Sequence, residues 1–289
     1  MDKNMNRRNF IKSGIIICQN EGLTFSSGFK CEITSQIPIQ AGTSSSSAIV
    51  VSYIHFLSQV ADEPVKWNQQ KIGKLAYKAE VEEFNEPCGM IDQYSTAMGH
   101  LIYFQSEPDI AIQTLNPNLG TLVLGDSCGP KDTMGILNRC RDARLEIIQI
   151  LKVRNQNMDI HSCGDNLDLS LLNDEQKFLF RQTIKNWNLL KEALIELEKV
   201  NIDHHRIGHL LTTHHQILRD VLKVSTPKID TMLDVALGAG ALGGKINGSG
   251  GGDCMFAYAP ENFEEVAEAI ERVGGKSYII QSDDGTRID

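Results

Sequence analysis

Three separate segments of the sequence hold residue types that could act on a phosphate group. The first, residues 38–48, is a run of glycine and serine (PIQAGTSSSSA) that leads into an apolar stretch. Unpaired amides and the helix dipole at a helix start attract anions, and small residues let the backbone approach a phosphate closely. Serine hydroxyls can also bind phosphate oxygens or Mg²⁺. The same serines would make an ordinary helix cap, so both interpretations stand at this point.

The second segment, residues 79–94 (AEVEEFNEPCGMIDQY), is rich in carboxylates. The helical pattern of the preceding residues predicts that Glu80 lies on an apolar face, next to Ala79. A carboxylate on a buried face needs a partner, which can be a metal ion or a proton in acid–base catalysis. Asp92 follows a Pro-Cys-Gly break among apolar neighbours. The alternative is a solvated acidic face, together with an aspartate favoured by the dipole at a helix N-terminus.

The third segment, residues 243–254 (GGKINGSGGGDC), has a far higher density of glycine than the rest of the chain. Eight of the 24 glycines fall between Gly238 and Gly252. Glycine loses more backbone freedom on folding than any other residue, so this density predicts backbone packed against backbone or against a ligand. A tight turn between a helix and a strand is the alternative. The segment follows a predicted helix and not a strand, which argues against a dinucleotide-binding loop.

Hydrophobic periodicity predicts the elements that must hold these segments. An alternating stretch over 28–37 (GFKCEITSQI) predicts a half-buried strand that ends at Pro38, and apolar patterns predict helices over 48–60 and 67–84. Further strands are predicted over 100–104, 109–115, 122–124, 254–259 and 277–281, and further helices over 133–153, 171–200, 204–222, 227–237 and 261–273. Strands and helices in this mixed order indicate an α+β protein.

The composition narrows the class of protein. The 289 residues suffice for about two domains. With 28 basic and 37 acidic residues the net charge is −9, which is a poor match for nucleic acid or an anionic membrane. The sequence contains no run of 18 apolar residues, so no membrane-spanning helix is predicted. The seven cysteines are scattered without a Cys-X-X-Cys pair, and the N-terminus lacks a secretory signal pattern, so we predict a cytoplasmic protein.

The order of the three segments resembles that of the GHMP small-molecule kinases, and within them the galactokinase-like sugar kinases. Residues 38–48 resemble the family's second motif, with Thr43 where leucine is usual and an additional serine at Ser47. Residues 79–93 are similar to the galactokinase stretch that ends in CGIMDQ. Residues 243–254 resemble the third motif. The similarity extends to residues 225–237 and to the closing SDDGTRI, so it covers nearly the whole chain.

This resemblance implies ATP and Mg²⁺ as cofactors and assigns roles to individual residues. Ser46 and Glu80 match the Mg²⁺ ligands of the family, and Asp92 matches the base that takes the proton from the C1 hydroxyl of the sugar. Positions implied to lie against the nucleotide are Gly42, Thr43, Ser44, Ser45, Ser46, Ser47, Gly248, Ser249, Gly250 and Gly251. Positioning and charge neutralisation by such groups do most of the catalysis in phosphoryl transfer.

The implied fold has two lobes with the active site between them. An N-terminal lobe like ribosomal protein S5 domain 2 is expected over 1–127, and a ferredoxin-like lobe over 128–289. The family's first motif has no match near the N-terminus, so we expect the N-terminal lobe to lack its first strands, through truncation, because a partner supplies them, or because the gene start is misplaced. Missing strands would expose a sheet edge or a face of the core, which favours association or low stability.

The function implied by this resemblance is ATP-dependent phosphorylation of the anomeric C1 hydroxyl of a monosaccharide. Residues 126–142 depart from galactokinase, which leaves other hexoses, pentoses and uronic acids open as substrates. A homologue that binds nucleotide or sugar without turnover is one alternative. A mevalonate-type kinase is another, although residues 87–93 (PCGMIDQ) are closer to the sugar kinases. A small-molecule sugar is the expected partner, the protein is expected to be a monomer or homodimer, and neither nucleic acid nor a membrane is expected to bind.

Overall fold

The computed structural model describes residues 9–39, 42–86, 88–129, 133–154, 156, 158–161 and 167–288. Packing divides the chain into two compact units, one reaching Asn116 and also containing the residues from Ser282 onward, and the other running from Pro117 to Gln281. The predicted boundary at 127/128 falls later along the chain. The difference arises because the strand that precedes residue 127 pairs with strands of the second unit, while the last residues of the chain return to the first.

Within its described residues, the first unit consists of four α-helices, a 3₁₀ turn and a hairpin. Its elements are α1 (Phe10–Asn20), α2 (Ser45–Val60), α3 (Gln69–Glu80), a 3₁₀ turn (Glu82–Phe84), α4 (Ile91–Met98), β1 (Leu101–Gln105) and β2 (Ala111–Leu115). Strands β1 and β2 are antiparallel, with Leu101 opposite Leu115. The core is formed where α1, α2 and α3 meet, and Ile54, Leu57 and Leu75 are fully buried there. Helix α2 begins three residues earlier than the apolar pattern predicted, because serine is readily accommodated in a first helical turn.

The predicted strand over residues 28–37 is wrong. Residues 28–36 have no helical or strand structure, and every side chain from Ser26 to Ile37 is exposed. Among the described residues, no backbone–backbone hydrogen bond involves this segment. The alternating pattern of a strand is present, but a strand forms only where a neighbouring backbone pairs with it, and the described part of the first unit supplies no such neighbour.

The second unit is a four-stranded antiparallel sheet with helices packed on one face. Its elements are β3 (Leu122–Asp126), α5 (Thr133–Lys152), α6 (Asp174–Leu197), α7 (His204–Asp220), α8 (Pro227–Gly238), β4 (Gly243–Ile246), β5 (Cys254–Tyr258), α9 (Phe263–Arg272) and β6 (Lys276–Ile280). The strand order is β4-β5-β3-β6. This order is that of a ferredoxin-like split βαβ fold, so the expected architecture of the C-terminal lobe and the α+β class are confirmed.

One face of this sheet forms the core of the second unit. Val123, Met255 and Ala257 lie on that face and are fully buried against Met232 of α8 and Ile270 of α9. Helix α8 begins where Thr226 caps it and Pro227 occupies its first position, which is the favoured place for proline. Among the described residues, none of the helices is both long and apolar enough to span a membrane.

Candidate active site

The carboxylate of Glu80 lies at the buried C-terminal end of α3. Asn68 caps the helix by accepting a hydrogen bond from the amide of Lys71, which fixes where the helix begins. From this start, the apolar face runs through Leu75 and Ala79, and Glu80 is the last residue of the helix. Its side chain is only 8% exposed, as the helical pattern predicts. Burying a carboxylate is costly unless polar groups surround it, so its neighbours decide what it can do.

Glu80 is connected to Ser47 by the amide of Gln93. The Nε2 of Gln93 donates to Oε2 of Glu80 at 2.7 Å and to Oγ of Ser47 at 3.2 Å. Ser47 lies in the first turn of α2 and Gln93 lies in α4, and both side chains are buried. Three helices that are well separated along the chain therefore bring one hydroxyl, one amide and one carboxylate to a single buried point.

This arrangement fits a hard divalent cation such as Mg²⁺. The side-chain oxygen of Gln93, Oε1, is buried and has no hydrogen-bond partner among the described residues, although the side-chain nitrogen Nε2 has two partners. Mg²⁺ prefers oxygen ligands and needs only one or two carboxylates when substrate phosphates complete its shell. The described residues contain no group of three or more histidine, cysteine, aspartate or glutamate side chains that could hold a metal, so a closed structural zinc cage is not available there.

The glycine–serine loop presents polar groups at the start of α2. Gly42 and Ser44 both have positive φ, of 66° and 53°, which turns the backbone sharply into the helix. Thr43 steadies the turn by donating from its hydroxyl to the carbonyl of Pro38 at 2.9 Å. The hydroxyls of Ser44, Ser45 and Ser46 make no hydrogen bond within the described part of the chain. Gln40 and Ala41 of the same motif lie outside the described residues.

These serines do not share one environment. Ser46, which the resemblance implies as a metal ligand, is half-buried and makes no hydrogen bond to Glu80 or Gln93. Ser47 is the serine that joins the buried chain of side chains. Sequence reasoning also missed Gln93 entirely. Besides its place at the end of the 79–93 stretch, its signal was the helical period of α4, which places Gln93, Tyr94 and Ala97 together on the buried face.

Asp92 lies in the first turn of α4, and its side chain is exposed while that of the next residue is buried. The dipole of the helix favours negative charge at this position. Helices α3 and α4 approach closely at Gly73, where a Cβ would lie 3.2 Å from the Cα of Tyr94. A Cβ at Gly73 would press on the backbone of α4, which would have to shift by a few tenths of an ångström to admit it. The accessible carboxylate of Asp92 is adjacent in sequence to Gln93, which belongs to the buried hydrogen-bonded group of Ser47, Gln93 and Glu80.

The glycine-rich loop of the second unit is explained in part by packing within that unit. A Cβ on Gly243 would lie 1.9 Å from the carbonyl oxygen of Gly208 in α7, and a Cβ on Gly250 would lie 2.6 Å from Val224. Gly248, Gly250, Gly251 and Gly252 all have positive φ, which side chains other than glycine rarely adopt. Backbone-on-backbone packing, which the sequence predicted, is therefore confirmed for Gly243.

The outer part of this loop remains accessible. Gly248 is exposed, and the hydroxyl of Ser249 is buried without a hydrogen-bond partner among the described residues. Close by on β4, burial lowers the pKa of Lys245 to about 8, and its Nζ lies 5.1 Å from the centre of the Phe256 ring. Burial, aided by the nearby Lys245, lowers the pKa of His214 to about 4. No pattern in the sequence had indicated either shift.

Two family models match the chain. The model for the GHMP kinases N terminal domain matches residues 9–100, and the model for GHMP kinases C terminal matches residues 190–277. Among sequence relatives, the mevalonate kinase of Thermococcus gammatolerans is 30% identical over 97% of this chain and 75% of the relative. The galactokinase of Pasteurella multocida is 23% identical over 94% of this chain and 71% of the relative.

Solved structures give the same fold. The galactokinase of Lactococcus lactis, crystallised with galactose, superposes with a TM-score of 0.78 and 18% identity, covering 99% of this chain and 77% of the other. A crystal structure of mevalonate kinase superposes with a TM-score of 0.69 and 18% identity, covering 96% of this chain and 76% of the other. The two family models together match more than half of the chain, and the relative that is 30% identical spans nearly all of it, so the chain belongs to the GHMP kinase family.

Proposed function

We propose that the chain is an ATP-dependent kinase that transfers the γ-phosphoryl group to a hydroxyl of a small molecule. The observation that carries this proposal is the buried chain of Ser47, Gln93 and Glu80, with the accessible carboxylate of Asp92 next to it. Phosphoryl transfer asks little covalent chemistry of a protein, and positioning with charge neutralisation is most of what it needs.

In this proposal the loop over residues 42–47 binds the phosphates of ATP. The amides of the first turn of α2 and the hydroxyls of Ser44 and Ser45 bind phosphate oxygens. Glu80 holds Mg²⁺ together with a serine, and the geometry favours Ser47 beside Ser46, the serine implied by the resemblance. When bound, Mg²⁺ neutralises the charge of the β- and γ-phosphates.

Asp92 is proposed as the base. It accepts the proton of the acceptor hydroxyl while that oxygen forms a bond to the γ-phosphorus and ADP leaves. In the second unit, Gly248, Ser249 and Gly251 are proposed as further phosphate-contacting residues. The resemblance also implies that Gly250 contacts the nucleotide. Because Gly250 faces Val224, we propose that it shapes the loop and does not contact a ligand.

Two acceptors are supported. The first is mevalonate or a similar hydroxy acid, because a mevalonate kinase is 30% identical over 97% of this chain and 75% of its own length. The second is a monosaccharide phosphorylated at C1, favoured by residues 79–93 and by the 23% identity to a galactokinase. The motifs alone favour the sugar, and the relatives support the mevalonate-type alternative at least as well.

The experiment is an ADP-release assay of the purified chain with MgATP and a panel containing mevalonate, galactose, other hexoses, pentoses and uronic acids. Phosphorus NMR of the product separates a phosphate on a primary alcohol from one on an anomeric carbon. We expect one acceptor class to turn over. Tight ATP binding by calorimetry with no phosphorylated product from any acceptor would favour the non-catalytic alternative.

Asp92→Asn is the decisive variant in this assay. Because Asp92 is exposed, the substitution should leave the fold intact, and loss of the base should lower kcat about 10²- to 10⁴-fold. Circular dichroism and ATP affinity should match those of the parent chain. Unchanged kcat in the variant would eliminate Asp92 as the base.

A further inference from the structure

The strand that leads into the glycine-rich loop is held at its end by a histidine of α7. Strand β4 lies at one edge of the four-stranded sheet, and α7 packs beside it. The backbone amide of Ile246, the last residue of β4, donates to Nδ1 of His215 at 3.3 Å. Ile246 and His215 are 1% and 5% exposed, so the histidine satisfies a buried backbone donor at the sheet edge.

The ring of His215 is oriented from its other side by α8 and the residues just before it. Its Nε2 lies 3.2 Å from Oδ1 of Asp230, and that same oxygen accepts a hydrogen bond from the hydroxyl of Ser225 at 2.6 Å. A backbone amide can only donate, so Nδ1 of His215 must accept and the ring proton must lie on Nε2, where it donates to Asp230. Burial, the largest influence, lowers the pKa of His215 and so favours this neutral ring.

The glycine-rich loop, residues 247–253, is attached to the same region at a second point. The amide of Gly251 donates to the carbonyl of Val224 at 2.7 Å, and Val224 directly precedes Ser225 between α7 and α8. Hydrogen bonds and one peptide link thus form a closed ring at the base of the loop, whose members are, in order, Ile246, His215, Asp230, Ser225, Val224 and Gly251. The ring ties both the start of the loop and its later part to the turn between α7 and α8.

We propose that His215 is a positioning residue that keeps the glycine-rich loop in the shape in which it contacts phosphate. This inference rests on the proposed function, which assigns phosphate contacts to residues of the loop. The side chain of His215 is buried whereas Gly248 in the loop is exposed, so the histidine acts through the backbone and not by touching the ligand. Such positioning matters because a misplacement of about 1 Å can lower a catalytic rate about 100-fold.

The first test is hydrogen exchange of the loop in the chain without nucleotide, which does not depend on phosphoryl transfer. His215→Leu removes both hydrogen bonds of the ring. The amides of Asn247 and Gly251 are hydrogen-bonded within the second unit, and both should exchange at least about tenfold faster in the variant. Amides of β6, at the opposite edge of the sheet, should exchange as in the parent chain. Unchanged exchange of the two loop amides would overturn the proposal.

The second test separates the two ring nitrogens by means of amide side chains. In His215→Asn the amide oxygen can take the place of Nδ1 and accept from Ile246, whereas in His215→Gln the amide nitrogen takes the place of Nε2 and reaches Asp230. We expect the dissociation constant of MgATP, measured by calorimetry, to stay near the parent value in His215→Asn and to rise about tenfold in His215→Gln and His215→Leu. The KM for ATP should rise with it, while kcat changes less.

His204→Leu is the matched control. His204 lies on the same helix, and its Nδ1 contacts the hydroxyl of Tyr258, at the end of β5 that is away from the loop. Loss of this contact should lower the thermal stability of the chain without changing the exchange of the loop amides or the affinity for MgATP. A purely structural role for His215 would give its variants this same pattern.

Two further results would overturn the proposal. One is parent-like MgATP affinity in His215→Leu even though its loop amides exchange faster. The other is an affinity that His215→Gln retains and His215→Asn loses, since the loop would then depend on Asp230 and not on the amide of Ile246. A parent chain that binds no MgATP would instead refute the proposed function, and the exchange comparison would still decide whether His215 holds the loop.

Discussion

At the scale of single residues, the chemistry depends on which carboxylate is buried and hydrogen-bonded and which is exposed to solvent. Glu80 and Glu83 are three positions apart in the same acidic run. Glu80 is 8% exposed and accepts a hydrogen bond from Gln93, whereas Glu83 is exposed. A metal ligand must be oriented by hydrogen bonds from its neighbours, and of these two carboxylates Glu80 is the one that Gln93 holds in this way. The pair therefore offers a matched test.

We expect Glu80→Gln to raise the Mg²⁺ concentration needed for half-maximal activity at least about tenfold, because a neutral amide is a much weaker ligand for this hard cation. The substituted amide can still hydrogen-bond Gln93, so thermal unfolding should change little. Glu83→Gln should leave the Mg²⁺ titration unchanged. Equal Mg²⁺ midpoints for the two variants would mean that Glu80 is not a metal ligand.

At the scale of elements, the glycine-rich loop is constrained by conformation and by space together. Gly250 has φ of 86° and faces Val224, so Gly250→Ala should lower the free energy of unfolding by about 3 kcal/mol. A Cβ added at Gly238, the last residue of α8, would meet nothing within 4 Å. Gly238→Ala should therefore be neutral or stabilise by up to about 1 kcal/mol. Chemical denaturation measures both, and equal effects would contradict this account.

Two lysines on the same sheet each lie over an aromatic ring but differ in burial, and this difference predicts a pH effect. The folded pKa of Lys245, about 8, is below the ordinary value of 10.5. Between these values the unfolded chain binds the proton and the folded chain does not, so this group makes stability rise as pH rises from 8 to 10.5. Below pH 8 the folded state carries the buried charge.

Lys245→Met keeps the side-chain volume and removes that charge. It should raise stability at pH 7 by about 2 kcal/mol and flatten the rise between pH 8 and 10.5. Lys276→Met is the control, because Lys276 lies 4.9 Å from the centre of the Tyr278 ring but is exposed. Urea unfolding at about pH 7 and about pH 10 compares them. The same response from both variants would rule out burial of Lys245 as the cause.

Elements also show what the sequence could predict. The period of α3 was sufficient to place Glu80 at the interior, because burial of a helix face follows from local spacing alone. The strand over 28–37 failed because a strand depends on a partner that local pattern does not reveal. Gln93 was missed for a related reason, since its amide matters only once α2, α3 and α4 have packed together.

At the scale of the whole molecule, the last residues of the chain return to the first unit and contact the end of α4 and the residues just after it. The amide of His100 donates to the carbonyl of Asp283 at 2.7 Å, and the amide of Thr286 donates to the carbonyl of Ala97 at 3.1 Å. A Cβ on Gly285 would lie 2.1 Å from that same carbonyl oxygen of Ala97. The chain can make this return only with glycine at position 285.

Gly285→Ala should therefore displace the terminal residues and destabilise the first unit by about 2 kcal/mol, while the second unit is unaffected. Native-state hydrogen exchange should show faster exchange of the His100 and Thr286 amides and unchanged protection in β3 and β5. Gly28→Ala, which meets no atom within 4 Å, is the control in the same unit. Because α4 ends at Met98 and carries Asp92 and Gln93 at its other end, we expect kcat to fall in Gly285→Ala as well. Unchanged exchange at His100 would mean that the terminal residues contribute nothing to holding α4 in place.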